Sequence, residues 1–290
     1  MENDRTKGLM FALATFSMWG VFPIFFKLIK NVDAVQILAH RVVWSFLLLL
    51  VFLCFTHRLK NVARLLSTPK IALTLLCTGL LISTNWGIYI YAVNSDQILA
   101  TSLGYFINPL FSVLLGALFL RERLSAAAKF SLLLAFAAIG VQIYALGRLP
   151  IISIVLPLSF AFYGLIRKKV KVPSFEGLFC ETALMLLPAL AFLIYCTLKG
   201  SGAFGFNVSG ALLFASGLIT ILPLLTFAVS TQYLPLSTIG FMQYISPSMS
   251  MLIAVFIYGE ELETYKILSF SLIWFGLAVV GLDGLRRKNG

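Results

Sequence analysis

Apolar residues along the chain gather into runs near 8–29, 34–56, 71–93, 98–120, 127–147, 150–166, 175–198, 211–233, 236–258 and 264–284, separated by short breaks that carry charge or Gly and Pro. Runs of about 17 to 25 residues match the hydrocarbon thickness of a bilayer at about 1.5 Å of rise per residue. Backbone groups at that depth have no water to bond, so each run predicts a transmembrane helix and not a strand. The longest hydrophilic breaks, His57 to Lys70, Arg167 to Ser174 and the glycine-rich Gly200 to Gly210, do not read as domain linkers. The first run is longer than the hydrophobic part of a signal peptide and no small-x-small cleavage site follows it, so it reads as an uncleaved first span.

Composition agrees with this pattern and sharpens it. The chain has 290 residues, of which 60% are hydrophobic and 11% charged. Its mean hydropathy is +0.98, whereas about a quarter of residues are charged in a soluble domain. Ten spans leave no room for a sizeable domain outside the membrane, so function must reside among the helices. The net charge of +11 is spread over short loops and forms no stripe or tail, which argues against a nucleic-acid partner.

The basic residues also orient the chain, because short loops rich in Lys and Arg stay in the cytoplasm. With the N-terminus inside, the cytoplasmic set is Arg5, Lys7, Arg58, Lys60, Arg64, Lys70, Arg121, Arg123, Lys129, Arg167, Lys168, Lys169, Lys171, Arg286, Arg287 and Lys288. The other face receives Lys27, Lys30, Arg148, Lys199 and Lys266, which leaves Arg41 inside a span. Both termini are therefore expected in the cytoplasm, and the basic loops are expected to set topology and meet anionic lipid. Cys54, Cys77, Cys180 and Cys196 lie in apolar runs without the spacing of a zinc or redox site, and are expected to be buried, reduced thiols.

The chain repeats itself. Ala92-Val93-Asn94-Ser95 aligns with Ala228-Val229-Ser230-Thr231, and Thr101-Ser102-Leu103-Gly104-Tyr105 with Ser237-Thr238-Ile239-Gly240-Phe241. After a small insertion Asn108-Pro109 meets Ser246-Pro247, while Glu122 and Leu124 meet Glu260 and Leu262. Earlier, Trp19-Gly20 meets Tyr163-Gly164. Each half, 1–147 and 148–290, then holds five spans. Five is odd, so the second half enters the membrane from the opposite side, which is an inverted-topology repeat.

Trp19-Gly20, Leu38-Ala39-His40-Arg41, Asn85-Trp86-Gly87, Ser102 through Leu110 and Glu122-Arg123-Leu124 resemble the EamA type of the drug/metabolite transporter superfamily, and within it the RarD subfamily. The resemblance extends over nearly the whole chain and is carried in the second half by Gly240-Phe241, Gln243-Tyr244 and Pro247. It implies an all-α integral membrane fold of ten helices in two inverted five-helix repeats. A central cavity would be lined by spans 1 to 4 and 6 to 9, with the fifth and tenth outside. It further implies a bacterial inner membrane, a small-molecule solute as partner and no cofactor, and the peripheral helices leave room for a homodimer.

Candidate chemistry is sparse and lies within the spans. An Arg at membrane depth costs about 2.5 to 3.5 kcal/mol to insert, so Arg41 needs a partner or a water-filled surface. It either faces the cavity as a solute-binding group or snorkels to the outer interface as an anchor. His40 beside it suits solute binding or proton relay. Glu181, about two turns into span 7, is open to two roles, as a proton-coupling carboxylate or as a buried acid bonded to a neighbouring helix. The predicted depths of Arg41 and Glu181 argue against direct contact.

In span 3, Asn85 and Tyr89 share a face, with Trp86 adjacent; in span 4, Thr101, Tyr105 and Asn108 do so, with Pro109 next. Proline frees the carbonyl one turn earlier, and Ser246-Pro247 with Gln243 and Tyr244 repeats the device in span 9. Such paired helix breaks point to a midplane transport site, or else to kinks that serve packing. Trp19 joins the candidate set. Gly79, Ser83 and Gly87 form a small-residue ridge for close helix packing.

The reading is an exporter or permease of small organic metabolites or drugs that works by alternating access, and not an enzyme. HExxH, GxSxG and paired intramembrane carboxylates are lacking. An assembly or sensor protein is the alternative, followed by an enzyme acting on lipid-linked substrates.

Overall fold

Proline, capping side chains and apolar length together set the helices of the computed structural model, which describes residues 2–120, 124–170, 172–234 and 242–289. The first apolar run is two helices, α1 (Glu2–Gly20) and α2 (Phe22–Leu28). They part at Val21 because Pro23, in the first turn of α2, has no N–H for the carbonyl four residues earlier. Asp33 starts α3 (Ala34–Phe55) by accepting from the amides of Val35 and Gln36 at 2.9 and 3.2 Å. Next come α4 (Leu59–Leu66), α5 (Pro69–Asn94) and α6 (Ile98–Leu120). Ser125 caps α7 (Ala126–Leu146), which ends on Gly147 at φ +63°, a left-handed stop that suits glycine. The rest are α8 (Ile151–Val170), α9 (Ser174–Leu198), α10 (Val208–Tyr233, capped by Asn207), α11 (Ile245–Phe256) and α12 (Thr264–Asn289). No strand occurs among the described residues.

Among those residues eight helices are long and apolar enough to cross a membrane, and Ile151–Arg167 and Ile245–Phe256 are shorter apolar helices. Three expectations need correcting. The break from His57 to Lys70 is not all loop but contains α4, whose Val62 is buried while Lys60, Asn61 and Arg64 are exposed. Of the paired helix breaks expected at Pro109 and Pro247, the one in the ninth span is present, Gln243 and Tyr244 forming a turn between helical Met242 and α11. Pro247 lacks the N–H that would bond the Gln243 carbonyl, whereas α6 runs on through Pro109. Cys54 and Cys77 are exposed on the outer surface rather than buried, an apolar thiol being tolerated there; Cys180 and Cys196 are buried. The Gly240-Phe241 part of the repeat, with Arg121, Glu122 and Arg123, lies outside the described residues.

Eight helices close into a ring in which each packs on the next, in the order α1, α10, α3, α9, α5, α8, α6, α11 and back to α1. α7 and α12 pack on one another outside the ring, against α6. Small residues let these helices approach. A Cβ on Gly217 of α10 would meet the Trp44 Cβ of α3 at 2.6 Å, and one on Gly79 of α5 would meet the Glu181 carbonyl of α9 at 3.3 Å. Hydroxyls then bond across the seams: Thr15 with Thr226 at 2.7 Å between α1 and α10, and Ser131 to the Gly276 carbonyl at 2.6 Å between α7 and α12. Large apolar side chains such as Leu13, Val51, Leu73 and Leu118 point outward, as lipid-facing positions require.

Candidate functional site

Arg41 is 3% exposed, and its guanidinium lies among side chains of α2, α5 and α10. It rests 4.1 Å from the centre of the Trp86 ring and 5.8 Å from those of Phe22 and Phe26. Nε donates to Thr220 Oγ1 at 2.6 Å. α5 and α10 are not adjacent in the ring, so a group that touches both Trp86 and Thr220 occupies the ring's interior. Among the described residues no carboxylate pairs with Arg41, and its two Nη groups donate to no acceptor.

The network continues inward from the aromatic wall. Tyr89 packs edge-on to Phe26 at 6.0 Å and against Tyr105 at 5.8 Å. Tyr105 donates to Asn85 Oδ1 at 3.2 Å, and Asn85 Nδ2 donates to the Leu156 carbonyl at 2.8 Å and to Ser159 Oγ at 3.0 Å. Five of the residues expected from the sequence, Arg41, Asn85, Trp86, Tyr89 and Tyr105, therefore form one cluster.

The others stand apart from it. His40 stacks on Phe204 of the loop after α9, centroids 5.3 Å apart. Trp19 packs on Phe16 and Phe227 at 5.6 and 6.0 Å, along the seam of α1 and α10. Tyr244 stacks on Phe106 at 6.0 Å, and Gln243 is half-buried in the turn before α11. Asn108 is buried with no partner for its Oδ1.

Glu181 belongs to a separate cluster. Its Oε1 accepts from Thr78 Oγ1 at 2.7 Å and lies 3.8 Å from Arg167 Nε, while Tyr163 donates to Oε2 at 3.3 Å. Nearby, Arg58 stands 3.8 Å from Glu176. Sequence reading counted Arg167 with the cytoplasmic loops, yet it ends α8 at a depth that reaches Glu181. Thr220, Thr78 and Tyr163 were also missed, since isolated hydroxyls in apolar runs carry no periodic signal. A weak one was present for Thr220, which repeats Ser216 one helical turn later.

At the end of the bundle near Asp33 and Ser201, polar groups tie residues of 1–147 to residues of 148–290. Glu260 accepts from the amides of Ile98 and Leu99 at 2.6 and 2.9 Å, at the positive end of α6. Gln36 bonds the Ser201 carbonyl and the Ala203 amide at 3.0 and 3.1 Å. Lys27 pairs with Asp96 and lies 5.3 Å from the Tyr258 ring. A cleft of about 640 Å³ opens at this end, lined by Tyr91, Asp96, Gln142, Arg148, Glu260 and Lys266 among others, and it is distinct from the Arg41 cluster.

Comparison with known proteins places this architecture. A solved crystal structure shares the fold with a TM-score of 0.59 at 16% identity, over 96% of this chain and 98% of that one. A Vibrio cholerae protein named "Uncharacterized transporter" is 43% identical over 99% of this chain and 96% of its own. "Protein RarD" of Escherichia coli is 40% identical over 100% of this chain and 99% of its own. "Chloramphenicol-sensitive protein RarD" of Pseudomonas aeruginosa is 27% identical over 97% and 95%. The model of the EamA-like transporter family matches residues 6–144 and again 149–282. The chain thus belongs to the EamA-like transporter family, as a multi-pass inner-membrane transporter of the RarD type.

Proposed function

We propose that the chain carries small organic solutes by alternating access, with its two inverted halves, 1–147 and 148–290, rocking about a site at Arg41, Asn85, Trp86, Tyr89 and Tyr105. The observation that carries this reading is the order of the ring. Exchange α1 with α8, α3 with α9, α5 with α10, α6 with α11 and α7 with α12. The ring then maps onto itself, and so does the outer pair α7 and α12. That is what two copies of one five-helix unit facing each other would produce, and the twofold match of the family model supports the same division. In this reading Gln36, Lys27 and Glu260 hold the outer end shut and release as the halves rock. The interrupted helix at Gln243 and Tyr244 supplies free backbone to the route, with Asn108, His40 and Trp19 along its walls. The exposed apolar faces of α7 and α12 are where a second copy would seat.

Proton coupling through Glu181 would require breaking its pairing with Arg167, Thr78 and Tyr163. His40 would have to leave the face of Phe204. Solute binding at Arg41 requires no such loss and is the better supported use of a buried charge here.

The two halves are tested through the loops after their second spans, which are equivalent by the repeat. In a chain freed of its native cysteines, Arg64→Cys labels from the cytoplasmic side with a membrane-impermeant thiol reagent, and Phe206→Cys labels from the opposite side. Labelling of both from one side would end the inverted arrangement. Solute flux in vesicles, measured for the same chains, tests transport independently.

A further inference from the structure

A buried charge in apolar surroundings persists when an opposite charge or a full set of hydrogen bonds meets it. Lys27 meets Asp96, Arg167 meets Glu181 and Glu176 meets Arg58. Arg41 is the exception among the described residues: no acid pairs with it, one N–H is used by Thr220 and both Nη groups are unbonded. Trp86, Phe22 and Phe26 attract the cation through their faces. They offer no lone pair in the guanidinium plane, so the protein gives the four Nη hydrogens no acceptor.

The planar fork of the guanidinium names its complement. Two Nη groups side by side match the two oxygens of a carboxylate, an arrangement that Lys, a point charge, does not reproduce. The groups around the guanidinium are otherwise neutral: Asn85, Tyr89, Tyr105 and Thr220. A zwitterion would bring an ammonium for which the cluster has no carboxylate. A dianion would bring a second negative charge for which it has no second cation.

We infer that the cargo is a small organic acid of net charge −1, its carboxylate seated on the Nη edge of Arg41 and its apolar or aromatic body among Phe22, Phe26, Tyr89 and Tyr105. This rests on the reading of the ring interior as the transport route. The site then holds no net charge when loaded, and the halves rock about it without the desolvation cost of an unpaired ion.

The test compares cells that express the wild-type chain, Arg41→Gln or Arg41→Lys with cells that carry an empty vector. Untargeted mass spectrometry of medium and cytoplasm identifies the solutes whose distribution each chain changes, sorted by charge at neutral pH. The expected result is that the wild type shifts monocarboxylates as a class. Arg41→Gln should reduce that shift at least about ten-fold, and Arg41→Lys should retain part of it, since charge survives while the fork is lost. Wild-type movement of neutral, cationic, zwitterionic or doubly anionic solutes in place of monocarboxylates overturns the inference and leaves the transporter reading standing. No difference between wild type and empty vector overturns both. The wild-type arm decides the cargo class even if a variant fails to fold.

Discussion

Arg41 and Glu181 are each the eighth residue of their helices, α3 and α9, which pack against each other. Both are almost fully buried, at 3% and 1% exposure, yet their surroundings differ in kind. Glu181 has two hydroxyl donors and a guanidinium on its two oxygens, so each oxygen is engaged. Arg41 has one hydroxyl acceptor and a set of ring faces. The physical cost of burying charge is similar for both, so the difference lies in what offsets it. For Glu181 the protein supplies the offset from α5 and α8. For Arg41 it supplies one hydroxyl and the ring faces only. Under the proposed function, equal burial with unequal pairing separates a charge that holds helices together from one that waits for a ligand.

The largest effect should come from breaking the complete set. Removing one partner of a buried ion pair leaves the other uncompensated and costs about 3 to 5 kcal/mol. Arg167 is 14% exposed, so Glu181→Ala should lie near the lower end, at about 3 kcal/mol. The measurement is thermal or denaturant unfolding of the purified chain in detergent. Flux per folded molecule should stay within about two-fold of wild type, since Glu181 makes no contact with the Arg41 cluster. Loss of flux with stability intact would reverse the comparison and make Glu181 the coupling carboxylate.

Arg41→Met should behave in the opposite way. The substitution gives up a cation–π contact of about 0.5 to 2 kcal/mol and the Thr220 bond. It also removes an insertion cost of about 2.5 to 3.5 kcal/mol. The two nearly cancel, so the melting temperature should hold or rise slightly. Flux should fall by roughly 30-fold or more, the equivalent of losing about 2 kcal/mol of solute binding. A marked drop in stability with flux retained would identify Arg41 as an anchor.

Much of this architecture was legible before any coordinates. The apolar runs, the shared face of Asn85 and Tyr89 with Trp86 beside it, and the need of Arg41 and Glu181 for partners follow from periodicity and from the cost of polar groups in lipid; that Tyr105 bonds Asn85 does not. What was hidden depends on how helices rotate against one another. Thr220 lies 179 residues from Arg41 and Thr78 lies 103 from Glu181, and a lone threonine in an apolar run does not announce which neighbour it faces. Arg167 was hidden because a basic residue at a helix end looks the same whether it meets water or turns back to a carboxylate. The interruption at Gln243 and Tyr244 was signalled by Pro247, but Pro109 gives the same signal and leaves α6 unbroken. Proline removes one hydrogen bond; whether the helix then parts depends on its neighbours.

The smallest effect discriminates most finely, because it leaves both charges in place. Thr220→Val keeps the volume of the side chain and removes the one acceptor that fixes Arg41 Nε. Side-chain hydrogen bonds between membrane helices average about 0.6 kcal/mol, so stability should change little, and α10 stays close to α3 because Gly217 permits it. Arg41 then turns more freely on Trp86, and its Nη edge no longer points one way. A solute seated on that edge must itself orient the guanidinium, which should raise KM by about three- to ten-fold for roughly 1 kcal/mol of lost preorganisation. The maximal rate should be nearly unchanged, since one hydrogen bond of this size is a small part of the packed seam between α3 and α10. An equal fall in rate with KM constant would instead place Thr220 among the contacts that open and close the ring, where α3 and α10 slide past one another.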